Sequence, residues 1–293
     1  MKKFIINSLS FLMILLGINC IIYFVGKSLY FGDYSKVSLN YNSYLLADSH
    51  GLPLKNLTEK YGVYNFSAGS DSYFDMHRKL VYLINNTRVD TIYITADDHT
   101  LGQYRESNNN SDRSVIYSLP NQFDNYYDYI KDRYIKYYFV LFQPKLRYII
   151  RSYMGAKLKT VVQFDKYGPS NNKQITWKLM SSSERVKLSR NRAHTQFPDD
   201  NRSVNLEQNL MDIINICKQN NIELIGVKLP LTTEYGKVTA NKSYGADSVL
   251  KLNGYKVLDF SKLYSGNSEY FTDADHLNET GGRYFVNLLF EGK

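Results

Sequence analysis

Five short apolar runs, separated by stretches with helical spacing, constrain this chain more than any other feature. They are Ser43–Ala47, Val63–Phe66, Thr91–Thr95, Glu223–Lys228 and Lys256–Asp259. Runs this short, bounded by polar turns, read as buried strands, and strands alternating with helices make a parallel sheet. Between the second and third runs, "SYFDMHRKLVYLINN" sets Phe74, Leu80, Leu83 and Ile84 near one helical face. Before the fourth, "NLEQNLMDIINICKQNN" does the same with Leu206, Leu210, Ile213, Ile214 and Cys217. The expected fold is α/β: three α/β/α layers around a parallel sheet of about five strands. Ligands of such sheets bind beyond the carboxyl ends of the strands, so polar clusters at those ends carry the chemistry.

The N-terminus sets a second constraint. Behind Lys2 and Lys3, the segment Phe4–Val25 is apolar apart from Asn7, Ser8, Ser10 and Asn19, long enough to cross a bilayer as a helix. It is longer than a signal-peptide core and no small-x-small cleavage site follows it cleanly, which favours an uncleaved anchor. The two lysines place the N-terminus in the cytoplasm and the main domain outside, periplasmic or extracellular. Residues 1–27 are thus read as cytoplasmic N-terminus and anchor, 28–40 as a linker, and 41–293 as the main domain. Cys217 is the one cysteine beyond the anchor, so neither an internal disulfide nor a cysteine metal cluster is expected there.

From about 103 to 200 the strand rhythm breaks into "NNNSDR", a tyrosine-rich basic stretch and a polar stretch holding Trp177. A structureless loop this long is unusual in a compact domain, so a mainly helical insertion is expected, either a cap or a membrane-facing arm. The formal charge of +8 favours anionic surfaces such as headgroups, acidic polysaccharide or nucleic acid. No run of Lys and Arg interleaved with glycine or aromatics reads as an RNA-binding signature and no zinc-finger spacing occurs, so no nucleic acid partner is expected.

The first strand ends in "YLLADSHG", placing Asp48, Ser49 and His50 at a sheet edge, either as a turn or as a site with Ser49 as nucleophile. Near the C-terminus, "YFTDADHLNETGG" holds Asp273 and His276 in an Asp-x-x-His spacing. A carboxylate three residues before a histidine can orient its ring, and a histidine so held can take a serine proton. Asp-Ser after the first strand, "NFSAGS" after the second, "TADD" after the third and Asp-x-x-His-Leu-Asn before a final helix together resemble the SGNH (GDSL-like) hydrolase superfamily. The resemblance covers roughly residues 41–100 and 205–292 and implies a flavodoxin-like sheet.

What the resemblance implies is specific. Ser49 is the nucleophile, His276 the general base and Asp273 its orienting acid, with the Ser49 and Gly69 backbone N–H groups as oxyanion donors. The family's third donor is an asparagine, where this chain has Asp97; a carboxylate cannot donate unless protonated, so the donor is missing or His99 supplies it. Ala47 also stands where the family usually has glycine. Asp48, His50 and Asp275 are expected to support the triad members beside them. His77 and His194 show no ligand spacing, and neither metal nor cofactor is expected. The implied function is that of an exported, membrane-anchored acyl-ester hydrolase or acyltransferase, acting on a cell-surface polysaccharide and most simply on its O-acetyl groups. A membrane-bound acyl donor protein is a possible partner. The alternative is a catalytically silent domain that binds or assembles envelope polysaccharide.

Overall fold

The computed structural model describes residues 1–27, 31–139, 177–198 and 201–291. They form two compact units. One joins Met1–Val37 to Asp112–Asn172, described as far as residue 139; the other joins Ser38–Ser111 to Lys173–Lys293.

The second unit is built on a five-stranded sheet. The strands are β1 (Ser43–Leu46), β2 (Val63–Asn65), β3 (Thr91–Thr95), β4 (Glu223–Lys228) and β5 (Lys256–Asp259). Every neighbouring pair is parallel, in the order β2-β1-β3-β4-β5. This is the flavodoxin-like order, in which the chain winds to one side of β1 and then to the other. The reversal opens a crevice at the carboxyl ends of β1 and β3, where the sequence placed its polar clusters. The first two apolar runs extend one residue or so past their strands. Beyond Leu46 and Asn65 the ladder thins to two bonds, from Phe66 N–H to Leu45 O at 2.9 Å and from Ala68 N–H to Ala47 O at 3.2 Å.

Side chains on the strands alternate between two buried faces. Leu45, Tyr93, Ile225 and Val227 share a core with Phe285, Val286, Leu289 and Phe290 of the final helix, Glu279–Glu291. Tyr44, Leu46, Ile92, Ile94 and Leu224 are buried on the alternate positions. The helices Tyr73–Asn86 and Val204–Gln219 pack on one another, and of the faces read from their spacing Leu80, Leu83, Leu206, Leu210, Ile213, Ile214 and Cys217 are buried. Each such aliphatic side chain contributes about 1.5–3 kcal/mol when fully buried. The final helix also lies against the segment Ser49–Tyr61, a run of 3-10 turns kinked at Lys55. Gly282 allows that approach, since a Cβ there would sit 2.6 Å from Pro53 O.

The first unit starts with the helix Lys2–Gly26. Its stretch Lys2–Phe24 is long and apolar enough to cross a membrane. Phe31 and Tyr34, within the stretch read as a linker, are buried, because Phe31 joins a small core with Val115 and Tyr137 and the Tyr34 ring lies against Tyr117. The region read as one insertion is divided: residues 112–139 belong with the N-terminal helix, while the helix Ser182–Gln196 belongs with the sheet. Residues 140–176 lie outside the described residues.

Candidate active site

Four loops leave the carboxyl ends of β1 to β4, and a fifth precedes the final helix. At β1, Asp48 adopts φ −84° and ψ −146°, which turns the chain sharply into the 3-10 segment that begins at Ser49. The Asp48 carboxylate caps the turn by accepting from His50 N–H at 3.0 Å. Gly51 then passes close under β1 and the next loop, since a Cβ there would meet Ser67 Cβ at 2.7 Å and Ala47 Cβ at 2.9 Å. The result is a half-buried Ser49 on a tight, crowded elbow.

The fifth loop brings the histidine. Asp273 accepts from the backbone N–H groups of Asp275 and His276 at 3.1 and 3.0 Å. Thr232 Oγ1 donates to Ala274 O at 2.7 Å, pinning the loop to the end of β4. His276 Nε2 then lies 2.8 Å from Ser49 Oγ, across 227 residues of sequence. Its Nδ1 is 2.9 and 3.0 Å from the two Asp273 oxygens and 3.2 Å from Asp275 Oδ1. With Nδ1–H donating to Asp273, Nε2 is left to accept the serine proton. His276 therefore touches both Ser49 and Asp273.

Two carboxylates serve this histidine, and they differ in surroundings. The Asp273 side chain is 52% exposed, that of Asp275 1%. Burial opposes the charged form of His276, but its hydrogen bonds to Asp273 and Asp275 outweigh that and raise its pKa above the usual histidine value. Burial likewise opposes ionisation of Asp275, yet its bonds to His276 and His50 hold it well below the carboxylate range.

His50 lies beneath the triad rather than beside it. Its Nδ1 is 2.6 Å from Asp97 Oδ2 and its Nε2 3.2 Å from Asp275 Oδ2, with both carboxylates and the ring buried. A ring facing a carboxylate at each nitrogen donates from both, which makes it an imidazolium. Burial works against this charge, but Asp48 and Asp97 raise the pKa well above its ordinary value. Asp275 also accepts from Arg192 Nε and Gln196 Nε2, each at 2.8 Å, and Gln196 Oε1 in turn accepts from Tyr235 OH. Asp48 accepts from Arg105 Nη2 at 2.7 Å and pairs with His99 Nε2 at 3.2 Å. Buried charges of both signs are thus interleaved, which is the condition for keeping them out of water.

The residues proposed for the oxyanion divide. Ser49 N–H and Gly69 N–H have no acceptor among the described residues. Asp97 offers no donor: besides His50, it accepts from Leu229 N–H at 2.8 Å and from Thr95 Oγ1 at 3.1 Å. His99 is turned to Asp48, and burial lowers its pKa. Space does not demand glycine at position 69, where a Cβ would meet only Leu52 Cδ1 at 3.6 Å. The strained position in that loop is Ser70, at φ +70°.

Asp48, His50 and His99, and separately His50, Asp275 and His276, bring possible ligand atoms within 4.8 Å of one another. Neither set fits a metal, because both ring nitrogens of His50 are already committed to carboxylates. His77 pairs with Asn209, away from this cluster.

Arg105, Arg192, Gln196 and Tyr235 escaped the sequence reading. The first three fall in the presumed insertion, and long-range pairing of polar side chains leaves no periodic trace.

No family model matches the chain, and no curated protein does. Among solved structures, it is similar to a Bacteroides fragilis protein provisionally described as an acylhydrolase, at 10% identity and a TM-score of 0.39, covering 91% of this chain and 93% of that one.

Proposed function

We propose that this chain is a serine acyl-ester hydrolase or acyltransferase of the SGNH type, held at a membrane by its N-terminal helix. Its substrate is an O-acyl ester, most simply O-acetyl, on a cell-envelope polysaccharide. The observation that carries the reading is the contact chain Ser49 Oγ, His276 Nε2 and Asp273 at the carboxyl edge of the sheet. Ser49 Oγ attacks the acyl carbonyl as its proton passes to His276 Nε2. The developing oxyanion is met by the Ser49 and Gly69 N–H groups. Collapse breaks the ester bond, and the departing alcohol takes the proton from His276. Water or a sugar hydroxyl then gives its proton to the same nitrogen, attacks the Ser49 ester and releases the free serine. A half-buried nucleophile beside an exposed Asp273 suits a chain-like substrate, and the net charge of +8 suits an acidic polymer or an anionic membrane.

A second reading, a silent domain that only binds envelope polysaccharide, is favoured by one observation: Asp97 spends both its oxygens as acceptors, where the family places a donating asparagine. Labelling of the full-length chain in detergent with a fluorophosphonate, together with acetate release from an acetylated xylan, separates the two. The enzyme reading expects labelling and release that vanish in Ser49→Ala; no labelling of the folded wild type leaves the binding domain.

A further inference from the structure

The helix Lys2–Gly26 is exposed along most of its described length, but Leu15, Leu16, Asn19, Ile22 and Tyr23 are buried or half-buried. Their spacing puts them on one stripe. Residues 112–139 meet the later part of that stripe. Asn19 Nδ2 donates to Tyr138 O at 3.1 Å, and the rings of Tyr23 and Tyr138 lie 5.4 Å apart. Ile22 and Tyr23 pack on the small core of Phe31, Val115 and Tyr137. The docked stretch is the short helix Tyr126–Ile130, continued by wider turns over Lys131–Lys136. It turns aromatic rings outward: Tyr127 is 70% and Tyr126 66% exposed, and Tyr134, Ile135 and Tyr138 are exposed as well. Its charges nearly balance, with Asp128 and Asp132 against Lys131, Arg133 and Lys136. Lys131 pairs with Asp128 at 3.3 Å and Lys136 with Asp132 at 2.6 Å.

We propose that the Tyr126–Tyr138 surface is an interfacial element lying in the headgroup layer of the membrane that takes the N-terminal helix. This rests on reading that helix as a membrane span. At about 1.5 Å per residue, its 23-residue apolar stretch is about 35 Å long, slightly more than a hydrocarbon core of about 30 Å. Asn19 is five residues before Phe24, so its contact with Tyr138 sits about 8 Å inside the end of that stretch. Tyrosines carry their amphipathic rings at this depth. The Asn19 amide, costly in hydrocarbon, finds there a backbone acceptor. With two of its three cations paired to acids, the surface attaches by aromatic partitioning rather than by attraction to anionic lipid.

The test is the full-length chain reconstituted in phosphatidylcholine vesicles, with Cys20→Ser and Cys217→Ser so that single cysteines carry an environment-sensitive fluorophore. Labels at Tyr127→Cys and Tyr134→Cys, both exposed, are expected to be quenched several-fold by lipid bearing a headgroup nitroxide, equally at low and high salt. A label at Ile14→Cys, in the helix, is expected to be quenched by nitroxide deep in the acyl chains. Unquenched labels at 127 and 134 with a quenched label at 14 overturn the interfacial surface alone. An unquenched label at 14 overturns the membrane span, and the interfacial surface with it. Quenching at 127 and 134 that needs anionic lipid and is lost in salt overturns the aromatic mode.

Discussion

His276 is held by two carboxylates in unlike surroundings, and the difference decides what each can do. Asp273 reaches the ring at the shorter distances but is half in water, where its field is screened. Asp275 is farther from Nδ1 yet buried, and is itself fixed by His50, Arg192 and Gln196. Asp273 takes the Nδ1 hydrogen bond, and the buried Asp275 charge 3.2 Å away adds to the pull on that proton. Asp273→Asn and Asp275→Asn are each expected to lower ester turnover by about tenfold to a hundredfold. The double variant should fall by on the order of 10⁴, as for a triad whose histidine loses its correct tautomer. The pH profile separates the two acids. His276 acts as base only when neutral, and its pKa is raised, so activity climbs with pH through that raised value. Removing the Asp275 charge lowers the His276 pKa and should move the climb to lower pH. Initial rates of acetate release across pH measure it, and an unmoved limb in Asp275→Asn shows that Asp275 serves His50 alone. At this scale Ser49, Asp273 and His276 were legible, because strand ends and a three-residue spacing are local signals. The burial of His50 was not, because nothing in "DSHG" says which neighbour points inward.

At the scale of elements, the loop after β2 matters for what holds it from below. Lys79, on the helix Tyr73–Asn86, is buried and donates to Phe66 O at 2.7 Å and to Asp71 at 2.5 Å. Asn110 adds bonds to Gly69 O and to Asp71, each at 2.7 Å. Gly69 and the strained Ser70 thus sit on a polar platform, and Asp71 N–H, donating to Ala68 O at 3.1 Å, holds the peptide that carries the Gly69 N–H. Burial raises the Asp71 pKa to about 6 even against the pull of Lys79. Lys79→Met leaves that carboxylate buried without its cation, at a cost of about 3–5 kcal/mol. Because the folded pKa is above the unfolded one, the cost is full above the folded value and shrinks as pH falls and Asp71 takes up a proton. Thermal melts by circular dichroism at pH 8 and pH 5 should show the larger loss at pH 8. Equal losses at both would mean that Lys79 acts by packing alone. All five strands and the two helices read from the sequence lie within a residue or two of where it placed them, since a strand buried on both faces leaves a short continuous apolar run and an amphipathic helix a period of 3.6. The supports under the loops come from single polar residues in other elements, Lys79, Asn110, Arg105 and Arg192, and a single residue has no period.

At the scale of the whole molecule, sequence order and structural grouping disagree. Residues 112–139, read as part of an insertion in the sheet domain, share their core with Phe31 and with the flank of the N-terminal helix. Among the described residues that core holds Phe31, Val115 and Tyr137 with four side chains packed on them, so the segments that feed it support one another. Deleting residues 1–27 should therefore leave the amides of β1, β3 and β4 protected from hydrogen exchange and make those of 112–139 exchange quickly. Full protection of 112–139 in the truncated chain would show that this segment orders itself without the helix. The pairing of Asn19 with Tyr138 also has a consequence in time. The two are 119 residues apart, and a ribosome adding about 5–20 residues per second needs on the order of ten seconds to make the second after the first. On the proposed membrane span, the Asn19 amide must be shielded throughout that interval by lipid headgroups, water or the insertion machinery, and the folding of this unit is then paced by synthesis.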